Sequence, residues 1–196
     1  CYDKLKQSEE DGAFDIITQI GLSGVAVIAP HGGGIEPGTS EIARAIAGDE
    51  HSLYLFEGKK SRANQDLHLT STSFDEPTGV SLVINSETVL AIHGCSGAEK
   101  MVYLGGLDTT LKNRIDHALT NAGFQTSAHP DPNLRGEFST NICNRGMSGM
   151  GVQLEITRGL RRAMFEDLSN SMGRKTKHLV FDEITIAIRK ALSNEA

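Results

Sequence analysis

Val25-Ala26-Val27-Ile28-Ala29-Pro30-His31-Gly32-Gly33-Gly34-Ile35-Glu36-Pro37-Gly38-Thr39 is the stretch on which the reading of this chain turns. Its β-branched opening, Val25 to Ala29, has the composition of a buried strand. The strand is expected to stop at His31, followed by three glycines and then Glu36 just before a helix-like segment. That order puts an imidazole and a carboxylate on one turn at the carboxyl end of a strand, where open α/β sheets carry their ligands. The glycines permit a turn sharp enough for both side chains to converge.

Two more strands bring similar chemistry. His93 closes Val89-Leu90-Ala91-Ile92, and Glu155 sits within Val152-Gln153-Leu154-Glu155-Ile156. Two imidazoles and one carboxylate are the ligand set of a catalytic zinc that keeps a fourth position open, and a further glutamate can activate its water. His31, Glu36 and His93 are therefore candidate ligands of one Zn2+ ion, and Glu155 is the candidate general base. Each has a plainer reading: a turn histidine, an acid in a helix's first turn, a core histidine, and a solvent-facing glutamate on an edge strand. Strand alternation places Gln153 and Glu155 on one face, opposite Val152, Leu154 and Ile156.

Outward from these strands the pattern is that of one α/β unit. Thr39 to Ala47 reads as a helix closed by Gly48, and Pro77 opens a short helix running to about Asn85. Asp108 or Thr109 caps a helix whose stripe is Leu111, Ile115, Ala118, Leu119 and Ala122. Further strands are expected at Ser52–Glu57, Val102–Leu104 and Phe124–Ala128, a strand or extended loop at Leu67–Phe74, and helices at Arg158–Leu168 and Asp182–Leu192. Alternating strands and helices predict an α/β fold: a single three-layer domain with a mixed, mostly parallel sheet and helices on both faces.

The 196 residues are 38% hydrophobic, enough for one sizeable core, and carry a net charge of −6. No basic stripe suits a nucleic-acid partner, and no apolar run is long enough to span a bilayer. No signal-peptide pattern is visible, and localisation stays open, with cytoplasmic synthesis and release by cell lysis as one route. Between Arg135 and Arg162, however, five arginines (135, 145, 158, 161, 162) face only Glu137 and Glu155. Arginine's planar fork suits carboxylates, so this segment reads as a patch for an anionic substrate, with Arg161 and Arg162 alternatively a solvated helix face. His51, His129 and His178 read as surface residues.

A different hydrolase is also legible. His31-Gly32-Gly33-Gly34 has the form of an esterase oxyanion loop, and Gly94-Cys95-Ser96-Gly97-Ala98 comes close to a nucleophile elbow, with Ser96 as nucleophile and no metal. It leaves Glu36 and Glu155 without a role. A non-catalytic zinc-binding relative is the third reading.

The chain resembles the poly-γ-glutamate hydrolases of phage and prophage origin, zinc peptidases distantly related to metallocarboxypeptidases. The matching segments are His31 through Thr39, Ser52-Leu53-Tyr54-Leu55-Phe56, Leu67-His68-Leu69-Thr70-Ser71-Thr72, Phe74-Asp75-Glu76-Pro77 and His93-Gly94. They continue through Gly105-Gly106-Leu107, Asn144-Arg145, Gly151 to Ile156 and Arg161-Arg162, in the same order. The resemblance implies a zinc-carboxypeptidase-like fold, with His31, Glu36 and His93 on the zinc ligands and Glu155 on the catalytic glutamate. It also implies an anionic polypeptide substrate, poly-γ-glutamate, with Asn144 and Arg145 resembling a carboxylate-binding pair. Arg158, Arg161 and Arg162 of the arginine-rich segment are further candidates for that substrate, and His68 is a candidate for a substrate contact, an outer-shell role or a structural hydrogen bond.

Overall fold

The computed structural model describes residues 1–193 of the chain. Seven strands form one sheet: β1 (Phe14–Gln19), β2 (Val25–Gly33), β3 (Ser52–Gly58), β4 (Thr88–Cys95), β5 (Met101–Gly106), β6 (Gln125–Ser127) and β7 (Val152–Thr157). Their order is β1-β3-β2-β4-β7-β5-β6. Four neighbouring pairs are parallel, while β1 against β3 and β5 against β7 are antiparallel. The mixed, mostly parallel α/β sheet expected from the sequence is what the chain forms.

Helices α1 (Tyr2–Ser8), α2 (Thr39–Ala47), α3 (Pro77–Ile84), α4 (Thr109–Asn121), α5 (Arg158–Met164) and α6 (Leu179–Leu192) cover the sheet. Local chemistry sets their ends. Gly48 closes α2 with a positive φ of 52°, Pro77 opens α3, and the Asp108 carboxylate accepts the Leu111 amide to cap α4. α5 stops at Met164, short of the expected Leu168, because Phe165 turns extended and bridges to Lys177.

Strand alternation divides the interior. Val27, Ala29, Leu90, Ile92, Leu154 and Ile156 pack with α2, α4, α5 and α6 in one core. Ala26, Ile28, Val89 and Ala91 face the other side, with Ile35, Leu67, Leu69, Phe74 and Ile142. That second side is covered by α3 and by long connections with short 3-10 turns, at Asn64–Leu67 and Ser71–Ser73 among them. Leu67 to Phe74 is therefore an extended loop with turns, not a strand. β1 and α1 have no counterpart in the sequence pattern, since their apolar residues follow no clean period. His51 is a correction: it is buried, its ring against the Ser23 hydroxyl at 2.7 Å.

Candidate metal centre and base

His31, His93 and Glu155 lie at the carboxyl ends of three sheet neighbours, β2, β4 and β7. His93 and Glu155 are partners in the parallel β4–β7 register, so they stand side by side on the face away from α2 and α4. His31 reaches that face by an irregularity. β2 does not stop at His31 but continues to Gly33, and between Ala29 and Gly32 it inserts one residue more than β3. This bulge reverses the alternation and turns His31 away from the side of Val27 and Ala29.

The Glu36 loop returns to the same point. The Glu36 amide donates to the His31 carbonyl at 2.9 Å, and the Thr39 hydroxyl donates to the Glu36 carbonyl at 2.8 Å. Its carboxylate accepts from the Gly94 amide at 2.9 Å through Oε2. Oε1 lies 3.0 Å from His31 Nδ1, and Oε2 lies 3.6 Å from His93 Nδ1. The two Nδ1 atoms are themselves 3.1 Å apart.

This donor set fits a cation. His31 Nε2 donates to the Leu69 carbonyl at 2.7 Å, which frees Nδ1 to present a lone pair inward, the outer-shell pattern of metal-bound histidines. Separations of 3.0, 3.1 and 3.6 Å bracket the edge of about 3.3 Å expected between ligands around a tetrahedral zinc with bonds of about 2.0–2.1 Å. In the metal-free protein His31 and Glu36 form an ion pair, whose proton a cation would displace. Burial disfavours charge on both His31 and Glu36, but their mutual attraction outweighs it, raising the His31 pKa and holding Glu36 well below the usual carboxylate range.

His68 joins them. Its ring stacks on His31 with centroids 3.8 Å apart, and His31, Glu36 and His68 each offer a donor atom within 4.8 Å of the others. Desolvation, aided by the neighbouring His31, lowers its pKa to about 4, so it is neutral at physiological pH. To the roles open to it from the sequence, substrate contact, outer-shell or structural, its position adds that of a candidate ligand.

Glu155 is only 5% exposed. It is not on an edge strand: β7 is central and all six of its residues are buried. Burial is the main force raising its pKa, to about 7, with nearby Glu36 adding and His93, Gln153 and Arg161 opposing. A carboxyl near neutrality is suited to moving protons. Gln153 and Asn141, unassigned from the sequence, sit beside it, and the only local sign was that Gln153 shares its face.

His31, Glu36, His93, Glu155, His68 and Thr70–Thr72 line a cavity of about 370 Å³, rimmed by Leu134 and Phe138. A second chamber of about 490 Å³ shares its Glu36, His68, Gly94, Cys95 and Ser96 wall and adds Arg158 and Arg161. The five arginines do not form one patch. Arg158, exposed at the start of α5, lines the second chamber. Arg161 also lines it but is buried, donating to the carbonyls of Ile156, Pro37 and Cys95 at 3.0, 2.6 and 2.8 Å. Arg145 donates to the Phe74 carbonyl, Arg135 to that of His129, and Arg162 is exposed outside both chambers. Asn144 is consumed by backbone groups of Gly136, Phe138, Leu107 and Gly151. These side chains serve first as struts, because each buried carbonyl near them needs a donor.

Arg161 ties the Glu36 loop to the ends of β4 and β7, and only a glycine at 94 leaves room for its guanidinium. Arg161→Met is expected to strand three carbonyls and cost about 2–4 kcal/mol by urea unfolding. Zinc affinity should fall with it; unchanged stability would show that water replaces the clamp.

Ser96 lacks the setting of a nucleophile elbow. β4 leads through residues 96–100 into β5 rather than into a helix, and among the described residues no imidazole bonds its hydroxyl. Cys95 and Cys143 are held as thiols, burial pushing each up to about 12.

Residues 1–187 match the family described as poly-gamma-glutamate hydrolase. The UPF0714 protein YmaC of Bacillus subtilis (strain 168) is 38% identical over 196 residues, which are 99% of this chain and 83% of YmaC. A bacteriophage poly-gamma-glutamate hydrolase structure superposes with a TM-score of 0.93 at 34% identity, covering 98% of this chain and 94% of that one. A structure described as YNDL in an apo, zinc-free form also gives 0.93, at 36% identity, covering 98% and 95%.

Proposed function

The chain belongs to the poly-γ-glutamate hydrolase family, and from that premise we propose that it cleaves γ-glutamyl amide bonds of poly-γ-glutamate with one zinc ion and Glu155 as general base. The observation that carries this reading is the convergence of His31, Glu36 and His93 beside Glu155 in one cavity.

His31, Glu36 and His93 would hold the ion, with His68 near enough to replace or join them. Zinc, when bound, supplies Lewis acidity for the scissile carbonyl and for the attacking water. Glu155 takes the proton of that water and returns it to the leaving amine nitrogen. Burial of Glu155 favours its protonated form, and a cation held beside it would favour the carboxylate that accepts the proton. Arg158, in the flanking chamber, offers its guanidinium to a substrate α-carboxylate. That cation offsets the repulsion between an anionic polymer and a chain of net charge −6.

The test is the chain length of poly-γ-glutamate after incubation with zinc-loaded protein, beside a chelated sample. Shortening that chelation stops and added zinc restores is expected. Shortening that persists under chelation would remove the metal from the mechanism, and none at all in zinc-loaded protein would remove the substrate.

A further inference from the structure

Gln153 lies two residues before Glu155 on β7, on the same face and just as deeply buried. Its Nε2 donates to Glu155 Oε1 at 3.0 Å and to the Leu134 carbonyl at 3.1 Å. Its Oε1 accepts from Asn141 Nδ2 at 3.0 Å. Asn141 has no choice of orientation, because its Oδ1 already accepts the Cys143 amide at 3.1 Å. The donor end of Asn141 must therefore face Gln153, and the donor end of Gln153 must face Glu155. Backbone groups at both ends, the Cys143 amide and the Leu134 carbonyl, fix the two side-chain amides as a chain.

The surroundings are shaped around this chain. Gly136, at a φ of +63°, packs on Gln153 so closely that a Cβ there would come within 2.8 Å of its Oε1. Asn144 donates to the Gly136 carbonyl at 2.7 Å and so holds that turn against Gln153. Gly105, the β5 partner of Gln153, lets the Arg135 carbonyl close over the sheet and bring Leu134 into reach.

We propose that Gln153 is a positioning residue for Glu155: its amide, locked by Asn141, holds Oε1 and leaves Oε2 to carry the proton. The proposal rests on Glu155 being the general base. One carboxylate oxygen is thereby taken out of competition at the wall of the cavity that Glu155 lines. Leu134 and Asn141 line that cavity too, so the substrate-facing connection and the base are joined through one side chain.

The experiment compares Gln153→Met with the zinc-loaded wild type on poly-γ-glutamate. We expect kcat to fall about 10- to 100-fold, the range for losing a hydrogen bond to a charged group. KM and bound zinc should not change. His93, Glu36, Cys95, Arg161 and Tyr103 also face or flank Glu155 and are unaltered by the substitution. A wild-type kcat, or a KM that changes as much as kcat, would overturn the proposal. Should Gln153→Met fail to fold, Asn141→Ala takes its place with the same readouts and a smaller fall.

A measurement independent of turnover is hydrogen exchange of the Gln153 side-chain amide in metal-free protein. Slow exchange that Asn141→Ala accelerates is expected, and fast exchange in the wild type would overturn the locked amide. Turnover retained by Glu155→Gln would overturn the base itself. An inactive Glu155→Gln beside a fully active Gln153→Met would overturn only the role of Gln153.

Discussion

Glu155→Gln is expected to reduce hydrolysis about 10²- to 10⁴-fold, the usual worth of a positioned general base, with the bound zinc unchanged. The same substitution should make the metal-free protein more stable at alkaline pH. The folded-state pKa of Glu155 is raised from 4.5 to about 7, chiefly by burial. A carboxyl whose pKa rises on folding binds its proton more tightly in the native state, so stability is lost as pH climbs from about 4.5 to about 7. Above that window the ionised group costs the metal-free fold up to about 3 kcal/mol. Urea unfolding of both proteins at pH 4 and pH 8, with chelator present, reads this directly. The variant should gain over wild type only at the higher pH. An equal difference at both values would mean that Glu155 is not desolvated, and retained turnover would place the base elsewhere.

The second large effect is expected from His93→Ala. Removing one of three converging donors should abolish stoichiometric zinc and lower kcat/KM by more than about 100-fold, beyond the range for changes in outer-shell partners. Zinc at 100 times its dissociation constant should stabilise the wild type by about 2.7 kcal/mol. That gain, read as a rise in Tm, should vanish in the variant. His68→Ala is the informative control, because His68 also falls within reach of His31 and Glu36. If His68→Ala loses the metal and His93→Ala keeps it, the ligand set is His31, Glu36 and His68. His93 would then be a neighbour whose Nε2 is buried without a partner among the described residues.

Both predictions concern residues that are conspicuous in the amino-acid sequence, and the reason is local. His31, His93 and Glu155 are polar residues interrupting or ending apolar strand runs, an arrangement costly enough to stand out. Glu36 is marked by the glycines and the helix start around it. The helices announce themselves in the same way: Gly48, Pro77 and Asp108 act within a few residues of where they sit. β1 and α1 escape notice because their apolar residues follow no clean period, and what they pack on, β3 and the core on the Ala26 face, lies far along the chain.

The arginines show where local reasoning ends. A cluster in sequence looks like a patch, yet Arg135, Arg145 and Arg161 each serve a different carbonyl, brought near by chain segments up to 124 residues away. Asn144 is the same case, its whole amide spent on backbone groups. Gln153 is the converse: an ordinary polar residue on a strand becomes the hydrogen-bond partner of Glu155 once Asn141 and Leu134 close over it.

Apolar periodicity, caps and glycines act over a few neighbours. They are enough to specify the α/β alternation, the strands at whose ends the chemistry sits, and the residue types available there. Which face each side chain takes, and what it meets, is settled by long-range pairing. A one-residue bulge in β2 swings His31 to the side of His93, and the parallel register of β4 and β7 sets His93 against Glu155. Strand pairing is a contact between distant segments, and a shift of one residue exchanges the two faces of a sheet.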